Sequence, residues 1–383
     1  MKNYDYIIVG AGIAGCSTAY FLSKYSNSIL LIDRNGDVAQ GASGAAGAFL
    51  SPLLGKPNKF KDLVTKSLNF SINFYLDNIP KEITNCGVLR IPKTKEDEEK
   101  FQTYIPFMDF EYEPMGDGYY FKIGSQVNSY NICSNLAKNV EKLFNYEVDS
   151  LKQNSDSSWL INNGIKGNNL ILTTGADISL IKEDYFNIRA VWGQKIDIYT
   201  STTTTKNYHK ECSVSHCKYI KEKNKNLVSI GATHHRVEED LHFSNSCLNL
   251  DERKFFTKKQ VEENTKKLLK LANDIIKLED IELCDIKIGP RASSLDYFPM
   301  VGKIIDSKIS IEHYPHLKNG SHVKDGMLSS YNNLYVLNGV GGRGFVLSPY
   351  LAHSLVENII NNTPLEETIT THRMFKRWVK RLK

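Results

Sequence analysis

The stretch that decides the fold is Tyr4-Asp5-Tyr6-Ile7-Ile8-Val9-Gly10-Ala11-Gly12-Ile13-Ala14-Gly15. An apolar, β-rich run over 5–9 leads into Gly-x-Gly-x-x-Gly, and a helix is predicted over 12–25. A second apolar strand over 28–33 ends at Asp33, 23 residues after Gly10. A lone glycine pattern says little. Set between a strand and a helix, with an acid closing the next strand, it is a dinucleotide-binding fingerprint. Gly10 permits the tight turn, Gly12 lets backbone approach a pyrophosphate, and Gly15 lets helix and strand pack closely. The helix N-terminus offers unpaired N–H groups and a partial positive charge to phosphates. Asp33 can accept hydrogen bonds from a ribose hydroxyl.

The rest of the chain sets limits on that reading. At 383 residues, two domains are expected. The composition, 41% hydrophobic and 24% charged, is globular. No apolar run reaches the roughly 18 residues a membrane span needs. The stretch over 6–9 is too short for a secretory signal, so a cytoplasmic location without membrane attachment is expected. Seven cysteines, an odd number, suit reduced thiols. His209, Cys212, His216 and Cys217 lie close in sequence, but their spacing is irregular for a tetrahedral site, and no metal is expected. The net charge of +5 concentrates in a tail holding Arg373, Lys376, Arg377, Lys380, Arg381 and Lys383, interleaved with Phe375 and Trp378 and free of acids. Two readings stay open there: a solvated terminal helix anchored by aromatics, or a phosphate-contacting patch.

Further strands are predicted over 87–91, 119–123, 146–151, 158–161, 169–173 and 334–337. Helices are predicted over 61–76, 130–144, 251–278 and 348–360. Alternation of apolar and polar residues over 189–231 suits an antiparallel sheet. The expected fold class is α/β, with a Rossmann-like FAD-binding domain interleaved with a substrate domain on a mixed, largely antiparallel sheet. The expected boundaries are 1–85, 130–185 and 325–383 for the first, and 86–129 and 186–324 for the second.

FAD is the expected dinucleotide because glycine-rich turns recur. Gly41-Ala42-Ser43-Gly44-Ala45-Ala46-Gly47-Ala48 follows Asp33, and Gly339-Val340-Gly341-Gly342-Arg343-Gly344-Phe345 follows the last strand and opens a helix. The latter can aim N–H dipoles at the flavin edge that becomes anionic on reduction. Three separated places of close backbone approach suit the longer cofactor. Thr173-Thr174-Gly175-Ala176 ends another strand, where the alternative is a plain turn. The expected cofactor contacts are Gly10, Gly12, Ile13, Ala14, Gly15, Asp33, Arg34, Ala42, Ser43, Gly44, Gly47, Ala48, Val148, Thr174, Gly175, Gly341, Gly342, Arg343, Gly344 and Phe345.

These glycine turns resemble those of the D-amino-acid oxidase and glycine oxidase superfamily. Several stretches are similar, more narrowly, to the FAD-dependent oxidoreductase domain of the MnmC family of bacterial tRNA wobble-uridine enzymes. They are Gln40-Gly41-Ala42-Ser43-Gly44, Gly47-Ala48-Phe49-Leu50-Ser51-Pro52-Leu53-Leu54, Cys86-Gly87-Val88, Gly193-Gln194, and Ile230-Gly231-Ala232-Thr233-His234-His235-Arg236 with Glu239-Asp240. To these add the run from Arg291-Ala292-Ser293-Ser294 through Leu295-Asp296-Tyr297-Phe298 to Pro299-Met300-Val301-Gly302, then Gly342-Arg343-Gly344 and Arg377-Trp378-Val379. Val340-Gly341-Gly342 and Ala45-Ala46 depart from the family pattern, which bears on substrate choice. The chain starts at the FAD strand, so only the oxidative step is expected of it, with a separate methyltransferase a possible partner.

The resemblance implies oxidation of 5-carboxymethylaminomethyl-(2-thio)uridine at the tRNA wobble position to 5-aminomethyl-(2-thio)uridine and glyoxylate, with O2 as electron acceptor. Such a substrate needs its carboxylate held, and an arginine fork suits that task. Arg291 is the first candidate, against the alternative of an ion pair with Asp296; Arg343 is the second. His234 and His235, after Gly231-Ala232-Thr233, are candidates for substrate contact or a base, against the alternative of polar surface. Two other functions stay in view: oxidation of a free amine or amino acid such as glycine, sarcosine or a D-amino acid, and a flavoprotein without turnover.

Overall fold

The computed structural model describes residues 2–236, 256–321 and 323–382. Five strands form a parallel core in the order Glu141–Leu143, Ile29–Ile32, Asn3–Val9, Ile165–Leu172, Ser330–Asn338. Met300–Ile305 adds antiparallel to Ser330–Asn338, and the hairpin Leu151–Gln153/Trp159–Ile161 adds to the start of Ile165–Leu172. The strands read as unbroken apolar runs because both faces of a parallel sheet are covered. The twofold period divides them cleanly. Ile8, Leu31, Ile171 and Leu337 pack into one core with the helices Ile13–Leu22, Lys59–Asn78 and Gly344–Asn361. Ile7, Leu30, Leu170 and Val336 pack into the other, with Tyr185 and Phe375.

Pro349 lies inside Gly344–Asn361 and cannot donate to the carbonyl four residues back. That carbonyl, on Phe345, instead accepts from the hydroxyl of buried Tyr75 at 3.0 Å. The helix that follows the third glycine turn is therefore held by a side chain from Lys59–Asn78.

A second, mixed sheet lies beside the first. Ile188–Thr200 pairs antiparallel along its length with Glu282–Ser294 on one side and with Lys225–Gly231 on the other. The sheet continues through Ser213–Val214 and Asn207–His209 to Val88–Arg90 and Gly118–Phe121. Only the Asn207–His209/Val88–Arg90 step is parallel among these. The α/β class with a Rossmann-like sheet and a largely antiparallel partner is thus what the chain adopts. Met300–Ile305 belongs to the nucleotide-side sheet although it lies within the segment 186–324.

The expectations of a helix over 130–144 and a strand over 146–151 are corrected. The helix is Ser129–Leu136, and Glu141–Leu143 is an edge strand. Leu143 faces one core while Val140 and Phe144 face the other, which an extended chain allows and a helix does not. The helix predicted over 251–278 is Lys258–Asn273; residues 251–255 and the pair Glu239-Asp240 lie outside the described residues. The basic tail forms the helix Thr371–Val379, with Met374, Phe375 and Val379 buried. No helix among the described residues is long and apolar enough to cross a membrane.

Candidate active site

The carboxyl ends of Asn3–Val9, Ile165–Leu172 and Ser330–Asn338 open together onto a cavity of about 1000 Å3. Ligands in open parallel sheets bind at this edge. Gly10 takes φ +107°, and a Cβ there would sit 2.4 Å from the Thr173 carbonyl oxygen. Thr173 Oγ1 donates to the Gly10 carbonyl at 2.8 Å, which locks the turn. Asp33 accepts from the backbone N–H of Ala11 at 2.7 Å through one oxygen. Its other oxygen takes both the backbone and the side-chain amide of Asn35, at 2.8 and 3.0 Å. The first oxygen therefore keeps a lone pair for a ribose hydroxyl. Ser43, from the second glycine cluster, accepts from the N–H of Ile13 at 2.9 Å. That cluster is thereby tied to the start of the first helix.

Of the expected cofactor contacts, Gly10, Gly12, Ile13, Ala14, Asp33, Arg34, Ala42, Ser43, Gly47, Ala48, Val148, Thr174, Gly175, Gly341, Gly342, Arg343, Gly344 and Phe345 all line this cavity. Gly15 and Gly44 stand behind the wall. A Cβ on Gly15 would lie 1.9 Å from the Gly10 carbonyl oxygen, and one on Gly44 would lie 2.0 Å from that of Ala39. Their smallness serves packing. Part of the smallness of the Gly41–Ala48 run has the same origin, because Gly289 would bring a Cβ within 2.9 Å of Ala42 Cα. Arg34 pairs with Asp177 at 3.0 Å.

The strand pressed on that loop carries Arg291. Ser293 bridges to Val340, which brings the strand against the third glycine turn. Arg291 Cδ lies 3.5 Å from where a Gly342 Cβ would be, and its guanidinium covers Gly193. Its Nη1 donates to the Thr233 carbonyl and to His234 Nδ1, both at 3.1 Å. The ion pair with Asp296, weighed as an alternative, is not formed; Asp296 pairs with Arg373 at 2.7 Å. Burial, and after it the charge of Arg291, pushes His234 down to about 4, so its imidazole is neutral at physiological pH. Arginine only donates, so His234 Nδ1 is the acceptor and its proton sits on Nε2.

His235 does not line the cavity. It reaches Asn264 at 3.1 Å and packs edge-on to Phe256 at 4.8 Å. Successive residues of an extended chain face opposite sides, so His234 and His235 cannot both enter one cavity.

The structure adds two groups to which sequence reasoning gave no part in this site. Arg90 Nη1 donates to Ser51 Oγ at 3.0 Å and to the Pro52 carbonyl at 2.7 Å, while its Nε makes no hydrogen bond. Arg343 Nη1 donates to the Ser51 carbonyl at 3.2 Å. Burial, then the neighbouring Arg343, pushes Arg90 down to about 9; burial pushes Arg343 down to about 10. His209 is Arg90's register partner on the adjacent parallel strand and lines the same cavity, its Nδ1 2.7 Å from Ser213 Oγ. Burial first, then Arg90, holds its pKa well below the usual range. Cys212 packs instead into an apolar core with Ile196, Val228 and Ile230. A signal for Arg90 was present: a lone cation closing the apolar run Val88-Leu89, just after the quoted Cys86-Gly87-Val88.

Arg90, Arg291 and Arg343 thus converge on one cavity, and no carboxylate among the described residues pairs with any of them. Desolvated cations without partners are costly, and an anionic ligand group relieves that cost. On the same cavity, the Gly10 turn, the N-terminus of the helix Ile13–Leu22 and Asp33 are arranged for a pyrophosphate and ribose. The residues present therefore fit an extended dinucleotide together with an anionic substrate group.

A two-sheet fold with such a cavity defines a dinucleotide-dependent oxidoreductase. Residues 5–358 match the FAD dependent oxidoreductase (DAO) family, and the chain belongs to that family; its cofactor is FAD. Among curated proteins it is 25% identical over 385 residues to the tRNA 5-methylaminomethyl-2-thiouridine biosynthesis bifunctional protein MnmC of Legionella pneumophila, covering 93% of this chain and 54% of that protein. It is also 25% identical to the protein of the same name from Campylobacter concisus, covering 94% and 56%. The chain thus spans about half the length of these relatives. Among solved structures, glycine oxidase from Bacillus cereus superposes with a TM-score of 0.71 at 15% identity, covering 94% of this chain and 96% of that one. L-alpha-glycerophosphate oxidase from Mycoplasma pneumoniae, solved with FAD bound, gives 0.64 at 17%, covering 95% and 96%.

Proposed function

We propose that the chain oxidises the CH–NH bond of a carboxymethylamino group, and that its substrate is 5-carboxymethylaminomethyl-(2-thio)uridine at the wobble position of tRNA. The observation that carries this reading is the set of guanidiniums, Arg291, Arg343 and Arg90, that no carboxylate among the described residues pairs with, lining the same cavity as the Gly339–Gly344 turn. MnmC relatives over 93% of this chain support the tRNA substrate.

Gly10, Gly12, Ala14, Asp33, Ser43 and the Gly341–Arg343 turn would hold FAD. Bound FAD would supply the two-electron acceptor, taking a hydride from the glycine-like CH2 and passing electrons to O2. The protein's part is placement. Arg291 binds the substrate carboxylate, and its Nη1 is steadied by Thr233 and His234. Arg343 and Arg90 keep the surrounding field positive. His234, neutral and with Nδ1 engaged, orients the guanidinium and need not take a proton, because an amine that binds neutral carries none to remove before the hydride leaves. Loss of hydride from the neutral amine leaves an iminium that keeps its N–H; water then splits it into glyoxylate and the 5-aminomethyl nucleoside, which retains the proton as its ammonium. A separate methyltransferase would act on that product.

The test is mass analysis of tRNA nucleosides from cells lacking this gene. The carboxymethylaminomethyl nucleoside is expected to accumulate, and an unchanged nucleoside profile overturns the tRNA reading. A second reading, oxidation of free glycine or a similar amine, is favoured by the fold shared with glycine oxidase. It requires turnover of the free amine by purified protein without tRNA.

A further inference from the structure

We propose that Tyr297 and the C-terminal helix Thr371–Val379 form one RNA-binding surface, with the tyrosine ring as a stacking platform at the cavity mouth. The inference rests on the tRNA reading above and adds where the polynucleotide lies.

Tyr297 sits in the turn between the strand carrying Arg291 and Met300–Ile305. It lines the cavity, yet it is 63% exposed. Its backbone takes φ +67°, a left-handed conformation that a bulky residue rarely adopts. Glycine or asparagine would hold this turn with less strain. The ring joins no hydrophobic cluster among the described residues, so packing does not explain its presence. Strained backbone persists where the surroundings over-determine it, and such places gather at binding sites.

The surroundings here are unusually firm. The Tyr297 N–H donates to the Ser294 carbonyl at 3.3 Å, and Ser294 Oγ donates to the Phe298 carbonyl at 2.7 Å. Arg373 grips the turn from the C-terminal helix. Its Nε and Nη2 reach both Asp296 oxygens, at 2.7 and 3.1 Å, and its guanidinium covers the Phe298 ring at 5.5 Å. The helix that positions the tyrosine is also the basic tail. Arg377 follows Arg373 by one helical turn on the same face. Arg377, Lys380 and Arg381 are exposed and form no ion pair among the described residues.

An exposed aromatic followed by cations suits a single-stranded RNA segment, whose bases stack on rings while its phosphates take the cations. With the uracil on Tyr297, the carboxymethylaminomethyl arm points inward to Arg291. The rest of the anticodon loop runs out over the helix. Charge complementarity and continuity with the cavity both favour RNA as the occupant.

The experiment uses FAD-loaded full-length protein and a fluorescein-labelled anticodon stem-loop RNA with uridine at the wobble position, read by anisotropy over a salt series. Tyr297→Gly is expected to raise Kd about tenfold, within the range for loss of one base–aromatic stack. The flavin spectrum should hold, and the melting temperature should stay level or rise because glycine removes the strain. Tyr297→Trp should retain affinity. The triple change Arg377→Gln, Lys380→Gln, Arg381→Gln should weaken binding and flatten the log–log salt slope by about 2, at roughly 0.7 per single-strand phosphate contact. If the wild type binds and both variants match it, this surface is wrong while the tRNA reading stands. Failure of the wild type to bind the RNA removes both. A Tyr297→Gly protein that melts lower and keeps its RNA affinity shows the ring to be structural.

Discussion

Arg291 shows what a single side chain does in this fold. Pairing with Asp296 would have made it structural; Arg373 takes that carboxylate, and the fork of Arg291 stays available beside the third glycine turn. Arg291→Ala is expected to raise the KM for the carboxymethylamino substrate on the order of 100-fold, since a charged hydrogen-bonded partner is worth roughly 2–5 kcal/mol. FAD should stay bound, as read by visible absorbance. Unaltered kinetics would place the carboxylate elsewhere, with Arg343 or Arg90 next in line. That Arg291 and Arg343 would line one cavity was legible, because each sits in a motif of the sequence that borders it. Arg90 and His209 were not, since their meaning arises only when Asn207–His209 pairs with Val88–Arg90. Two adjacent histidines look equivalent in sequence, and only strand geometry sends His234 to the cavity and His235 to Asn264.

Among the elements, Gly344–Asn361 depends on a partner. Its internal proline leaves the Phe345 carbonyl without a helical donor, and Tyr75 supplies one. Tyr75→Phe should destabilise the protein by about 1–3 kcal/mol, the cost of stranding a buried carbonyl. Urea denaturation measures it, and a loss under about 0.5 kcal/mol, the lower end of a net hydrogen bond, would mean that water fills the gap. Most strands and helices were visible as periodic runs. The segment 137–151 was not, because a short edge strand after a helix leaves too few residues for periodicity to separate the two. The tail is a helix anchored by Phe375 and Trp378. Arg373 and Lys376 depart from the rest of its charge: Arg373 is engaged with the 296–299 turn, and Lys376 pairs with Glu367.

On the scale of the whole molecule, the cavity proposed to hold FAD draws on residues from Val9 to Phe345. Cofactor binding and folding are therefore linked. FAD at about 100 times its Kd should stabilise the apoprotein by roughly 2.7 kcal/mol, seen as a higher melting temperature. Gly12→Val separates the two effects. Gly12 has φ −76°, and an added Cβ meets only Ser43 Oγ, at 3.1 Å. The fold should survive while the FAD-dependent rise disappears, because the added side chain occupies the line of approach of the pyrophosphate. A full rise in this variant would show that the cofactor does not lie along the first glycine turn.

The sequence alone determined the nucleotide half of this protein. A glycine turn between strand and helix, and the acid closing the next strand, act within a βαβ unit of about 30 residues, so their chemistry is local and survives in the linear order. The other half took a tertiary structure to decide. Arg90, Arg291 and Arg343 are separated by up to 253 residues, and what makes them a site is that, among the described residues, no carboxylate pairs with them. Which charges meet, and which are left unmet, follows from how strands register and turns close, and no local pattern of residues encodes that.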